Sequence, residues 1–255
     1  MNKKRFYIAN WKMQWTFDET ITFATHHYDA LIQIANDRSC QIILCPSYPV
    51  LYPLAEMFKT TNVMLGAQDC SDHTIGAFTG QVSAAHLKSV GCTHCIVGHS
   101  ERRCYNHETN STIAQKCLHL ITANITPILC IGETKEQQQS GKTLAILEDQ
   151  LHDIFDMLKQ NPLNHRTAFF VAYEPVWAIG SSITPPKEHL ETVYAWLTQA
   201  TQHATSAINW HFLYGGSVNS HVSREIMTMP SVEGLLMGGA SLDFQEFEKI
   251  VKYDN

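Results

Sequence analysis

Hydrophobic positions along this chain follow two rhythms. Short β-rich runs near residues 6–9, 41–45, 63–66, 94–97, 126–130, 168–173, 211–214 and 234–237 are almost continuously apolar, as strands covered on both faces are. The longer stretches between them repeat at helical spacing. Residues 108–123 put Ile113, Cys117, Leu120 and Ile121 on one face, and 143–158 does likewise with Leu144, Leu147, Leu151, Ile154, Phe155 and Leu158; such stripes lay a helix against a core. Asp243-Phe244-Gln245-Glu246-Phe247 opens a last helix with carboxylates near its amino end, where the helix dipole favours them. Strands alternating with helices imply a parallel sheet, and eight such units predict a closed (β/α)8 barrel. A doubly wound open sheet is the alternative, because periodicity does not count strands reliably. No composition break, repeat or low-complexity tract divides the 255 residues, so one domain over 1–255 is expected.

Composition narrows the class. Hydrophobic residues make up 44% and charged residues 16% of the chain, a globular balance with apolar area for a sizeable core. Eighteen basic against 24 acidic residues give a net charge of −6, which argues against nucleic acid or an anionic membrane as partner. No apolar run approaches the roughly 18 residues of a membrane span. The start, Met1-Asn2-Lys3-Lys4-Arg5, is basic without the apolar core of a signal peptide, so a cytoplasmic protein is expected.

Eight cysteines raise the question of disulfides or metal. Without a signal segment the expectation is reduced thiols. Cys92-Thr93-His94-Cys95, with His99 four residues on, has the form of half a zinc site. Strand alternation turns Cys95 and Val97 to one face and His94 and Ile96 to the other. No second ligand pair follows at metal spacing, whereas a closed site needs four convergent ligands. No metal is expected.

The chemistry collects where strands end. Tyr173-Glu174-Pro175-Val176-Trp177-Ala178-Ile179-Gly180 leaves an apolar run, so a carboxylate stands at the edge of the core. Gly180-Ser181-Ser182 follows, small residues that let a flap move and turn amides to a ligand. Ala9-Asn10-Trp11-Lys12-Met13, Val97-Gly98-His99-Ser100-Glu101-Arg102-Arg103 and Gly238-Gly239-Ala240-Ser241 each leave another apolar run in the same way. In a parallel barrel those strand ends converge. Each residue also has a plainer reading: a solvated Glu or Lys, one capping histidine among fourteen, a turn glycine pair.

With Cys130-Ile131-Gly132-Glu133 and Tyr214-Gly215-Gly216-Ser217, these stretches closely resemble the triosephosphate isomerase family, six words in register from residue 8 to about residue 242. The resemblance implies a single-domain TIM barrel that interconverts dihydroxyacetone phosphate and glyceraldehyde 3-phosphate, in glycolysis and gluconeogenesis, without metal or organic cofactor. It makes Glu174 the base and His99 the electrophile that donates a hydrogen bond while neutral. This pairing is a known example of tuned proton affinities. Lys12 becomes the cation beside the enediolate and phosphate, and Asn10 a donor to the substrate oxygen. Gly180, Ser217, Gly238 and Gly239 match phosphate-binding positions, where glycine permits close backbone approach. Glu101 is expected beside Lys12 in support, with a bridge to Arg102 or Arg103 as the alternative. Cys130 falls beside the base and is expected to pack. Thr79, in Gly76-Ala77-Phe78-Thr79-Gly80-Gln81, matches the loop that reaches a neighbouring subunit, so a homodimer is implied.

Three places depart from the family pattern. Ser181-Ser182-Ile183-Thr184-Pro185-Pro186 stands where Thr-Gly-Lys-Thr-Ala is common after Gly180. Aligned without a gap, Pro185 has no N–H where the family's closed flap offers one to the tyrosine matching Tyr214. Gln81 replaces a usual Glu, and His107 a usual Gly, which leaves the partner role of Glu108 open. Two other functions compete. A Schiff-base aldolase or other sugar-phosphate barrel would want a buried strand lysine, and the candidate strands carry none in their centres. A catalytically impaired binding protein would account for the altered flap.

Overall fold

The computed structural model describes residues 4–37, 39–161, 167–181, 183–204 and 208–253, with the side chains of 203, 204 and 253 left aside. Eight strands, β1 (Arg5–Asn10), β2 (Cys40–Cys45), β3 (Met64–Ala67), β4 (His94–Val97), β5 (Thr126–Ile131), β6 (Thr167–Tyr173), β7 (Ile208–Tyr214) and β8 (Gly234–Met237), run parallel in chain order. β1 pairs with β8, Phe6 opposite Gly234, so the sheet closes on itself and the open-sheet alternative falls. A methyl group at Gly234 would sit 2.0 Å from the Phe6 carbonyl oxygen; the closing seam needs a bare backbone there.

Alternation splits each strand between two apolar compartments. Phe6, Ile8, Ile43, Ile96, Ile128, Phe170 and Leu236 fill the barrel interior. Their sequence neighbours, among them Tyr7, Ile42, Val97, Leu129, Val171 and Leu235, face outward into a second layer shared with the helices. That double coverage is why the runs read as continuously hydrophobic. It also places Cys95 and Val97 outside and Ile96 inside, as alternation predicts. β7 begins three residues before its apolar run because Asn209 and His211 face the amino end of the barrel, where His211 bonds both Asn209 and Glu233. Polar groups that satisfy one another can begin a strand without a hydrophobic signature.

The helical stripes form Asn110–Thr122, capped by Thr109, and Thr143–Gln160. The final helix is Phe244–Tyr253. All eight cysteines are free, seven buried and Cys104 exposed. Among the described residues no helix is long and apolar enough to cross a membrane, and no group of three or more His, Cys, Asp or Glu is placed to hold a metal ion.

Candidate active site

A cavity of about 370 Å³ opens at the carboxyl end of the barrel. Its lining includes Asn10, Lys12, His99, Glu174, Gly180, Ser217, Gly238 and Gly239. These residues come from five segments spread over some 230 positions. Asn10 ends β1, His99 follows β4, Glu174 follows β6 and Gly238 follows β8, so closure of the barrel alone gathers them.

Glu174 is 2% exposed. Its amide donates to the Ile131 carbonyl at 2.7 Å. Its carboxylate accepts from the Ser100 amide at 3.2 Å and stands 3.2 Å from Nε2 of His99. Two glycines make room for it: a methyl group at Gly132 would lie 1.7 Å from the Glu174 carbonyl oxygen, and one at Gly215 would lie 2.8 Å from its Cγ. Gln150 holds Gly132 from the neighbouring helix, accepting from its amide at 2.8 Å and donating to its carbonyl at 3.0 Å.

His99 is buried and caps the helix Ser100–Tyr105. Nδ1 accepts the Glu101 amide at 3.2 Å. An accepting Nδ1 leaves the ring proton on Nε2, the nitrogen turned to Glu174. The ring is thus set as a neutral donor into the cavity.

Lys12 has a left-handed backbone, φ +51°, which disfavours any residue with a Cβ. Neighbours hold it there: its amide donates to Oδ1 of Asn10 at 3.0 Å and its carbonyl accepts from Gln68 at 2.7 Å. Strain that the surroundings over-determine is a frequent mark of a functional position. Nζ bonds Oε1 of Glu101 at 2.7 Å. Glu101 therefore pairs with Lys12 and not with its arginine neighbours. Arg102 goes to Asp69 and Glu108 at 2.9 and 2.5 Å. Arg103 donates to the carbonyls of Gly98 and Cys130 at 2.8 and 3.2 Å.

Cys130 lies on the inner face of β5, fully buried. Burial pushes its thiol well above the usual range, and the Glu174 charge adds to this, so it packs as a small inert hydrophobe. The hydroxyls of Ser217 and Ser181 both donate to the Ala178 carbonyl, at 2.5 and 3.1 Å, and tie the base of the flap. The Tyr214 hydroxyl is buried without a partner among the described residues. Pro185 is buried and Ile183 exposed, while Ser182 lies outside the described residues. Thr79 is exposed on the 72–81 loop and does not line the cavity. His107 takes φ +55°, the left-handed backbone that suits glycine, yet Oε1 of Glu108 is held by Arg102 and by Lys116 at 2.6 Å, while Oε2 is buried without a partner among the described residues.

Sequence reasoning missed Gly132, Gly215, Gln150 and Glu133 as parts of this assembly. The glycines lay inside quoted motifs, but only the fold shows that their missing side chains are Glu174's space. Glu133 is completely buried and accepts from Tyr173 at 3.1 Å and from Trp177 at 2.8 Å.

Residues 5–254 match the profile of the family described as triosephosphate isomerase. The triosephosphate isomerase of Endomicrobium trichonymphae is 36% identical over 253 residues, covering 98% of this chain and 99% of the relative. That of Methylococcus capsulatus is 37% identical over 245 residues, 95% of each. A crystal structure of triosephosphate isomerase from Bartonella henselae superposes with a TM-score of 0.84 at 28% identity, over 98% of this chain and 99% of the other. A closed eight-stranded barrel, a cavity at its carboxyl end and full-length similarity at this level agree: the chain belongs to the triosephosphate isomerase family.

Proposed function

We propose that the chain interconverts dihydroxyacetone phosphate and glyceraldehyde 3-phosphate through an enediolate held in this cavity. The observation that carries the reading is the meeting of the Glu174 carboxylate and the Nε2–H of His99, 3.2 Å apart, with Lys12 lining the same cavity. Glu174 takes the proton from the carbon next to the carbonyl, and the electron pair moves onto the carbonyl oxygen. His99 donates its hydrogen bond there, with Lys12 and Asn10 beside the growing negative charge. A proton passes from the substrate hydroxyl to the former carbonyl oxygen, a carbonyl re-forms on the deprotonated oxygen, and return of the proton to the neighbouring carbon completes the aldose–ketose exchange. No electrons leave the substrate, so side chains suffice for the chemistry.

The phosphate would rest on Gly180, Ser217, Gly238 and Gly239. Gly239–Ser241 forms a short turn after β8 with its amino end lining the cavity, and first-turn amides lack helical acceptors. Glu101 orients Lys12, and Cys130 and Tyr214 pack behind the site. The test is a coupled assay with glyceraldehyde 3-phosphate and a reporter specific for dihydroxyacetone phosphate. The unsubstituted protein should turn over with or without chelator, and Glu174→Gln should lose about 10²–10⁴-fold. No turnover in the unsubstituted protein would favour a binding role, and loss with chelator a metal-dependent one.

Family membership also supports work in the cytoplasm, in glycolysis and gluconeogenesis, as a homodimer. Exposed apolar side chains, Met13 at 93%, Ile75 at 76% and Tyr105 at 77%, suit burial against a second copy, with Thr79 on the 72–81 loop reaching toward the partner's site.

A further inference from the structure

The flap leaves the barrel through Val176–Ala178 and returns at the helix Lys187–Ala204. Its returning end has two consecutive residues without an N–H, Pro185 and Pro186, so the backbone there offers no donor to anchor it. A side chain stands nearby instead. Nε2 of His189, in the first turn of the returning helix, lies 2.8 Å from the Tyr173 hydroxyl and 3.7 Å from Oε1 of Glu133. Tyr173 donates to Glu133 at 3.1 Å. From the departing end, Nε1 of Trp177 donates to the same Oε1 at 2.8 Å.

The directions of these bonds follow from the inventory of donors. An ionised Glu133 only accepts, and the single tyrosine hydrogen goes to it; Nε2 of His189 must then carry a hydrogen and give it to the tyrosine oxygen. A bare Nε2 would take the tyrosine hydrogen and turn oxygen lone pairs toward a carboxylate buried to 0% exposure, which would then lose its tyrosine donor. Both ends of the flap are thereby fastened to one buried carboxylate, on the departing side by an indole N–H and on the returning side by an imidazole N–H through Tyr173.

We infer that His189 is a positioning residue, the returning-side latch that holds the flap's hinge to Tyr173 and Glu133 in place of a backbone donor. It touches neither the cavity nor a reacting atom. With the latch gone, the open flap gains freedom that closure over the phosphate must remove. The inference rests on the proposed isomerase activity for its kinetic readout, but not for its structural one.

The test compares His189→Phe, which keeps a flat ring without a donor, with His189→Gln, which keeps an N–H at similar reach. Readouts are KM and kcat, the dissociation constant of a two-carbon phosphate bearing a carboxylate as enediolate mimic, and the 19F resonance of Trp177 in 5-fluorotryptophan protein, assigned with Trp177→Phe. His189→Phe should raise KM and the dissociation constant about threefold to tenfold, the worth of one hydrogen bond. It should leave kcat within about twofold and move the Trp177 resonance. His189→Gln should restore all three. A Phe variant indistinguishable from the unsubstituted protein, or a Gln variant as impaired as Phe, would overturn the latch. Should His189→Phe fail to fold, His189→Glu, which offers only an acceptor beside Glu133, takes its place against Gln, and the same two results would overturn the latch. Absence of isomerisation in the unsubstituted protein would overturn the proposed function, and the Trp177 resonance and the mimic's affinity would still test the latch.

Discussion

Glu174, His99 and Lys12 announce themselves in the sequence because each stands in a local word at the end of an apolar run. What holds them is not local. Gly132 yields its side-chain space to Glu174, 42 positions away, Gln150 secures Gly132, and Gln68 grips the Lys12 carbonyl at 2.7 Å. No window of sequence carries such contacts, since they exist only once the barrel has closed. His94 is a second residue whose character only the fold discloses. It sits at the opposite end of the barrel, 6% exposed, its ring near Phe170 and its Nδ1 2.8 Å from the Thr93 hydroxyl. Burial, with smaller effects of Lys4 and His211, pulls its pKa from 6.5 down to about 3. The unfolded chain therefore takes up a proton near pH 6.5 that the native protein refuses until about pH 3. Its contribution to stability is complete above pH 6.5 and is lost as the pH falls below it, by about 1.4 kcal/mol per pH unit. Urea unfolding from pH 7 to pH 5 should show this acid loss, and His94→Gln should flatten it by the equivalent of one proton. An unchanged slope in the variant would mean that His94 titrates normally in the native state.

Among the elements, the strands were legible to within three residues because each is covered on both faces, and the helices Asn110–Thr122, Thr143–Gln160 and Phe244–Tyr253 because each is covered on one. The flap was legible only as a departure. Pro185 is buried and offers no N–H, and the Tyr214 hydroxyl is buried without a partner among the described residues. A methyl group at Gly216 would come within 2.3 Å of that hydroxyl, so room is kept for a group with nothing to bond. Closure is predicted to lack one hydrogen bond, about 0.5–1.5 kcal/mol, with the stiff Pro185-Pro186 pair offsetting part of this by reducing the freedom of the open loop. Tyr214→Phe should accordingly leave kcat/KM within about twofold and thermal stability unchanged or slightly raised. A tenfold fall in kcat/KM would show that the hydroxyl finds a partner on closure.

At the scale of the molecule, eight parallel strands place the candidate catalytic side chains Lys12, His99 and Glu174 in one cavity at one end of the barrel and leave exposed apolar residues beside it. Ile75, 76% exposed, and Phe78, 40% exposed, lie on the loop that carries Thr79. If that loop enters a second copy, Ile75→Asp should shift the protein from dimer to monomer in sedimentation equilibrium and lower turnover together. A monomeric unsubstituted protein with full activity would rule out the dimer as a requirement.

The proposed chemistry is tried most simply by following the proton itself. Glyceraldehyde 3-phosphate is turned over in D2O and the product carbon is read by NMR, for the unsubstituted protein and for Glu174→Gln. A single carboxylate whose captured proton exchanges with solvent before one is returned to carbon predicts product carrying solvent deuterium at that carbon, with exchange and turnover both falling at least about 10²-fold in the variant. Glu174→Gln converting substrate at close to the unsubstituted rate would contradict it.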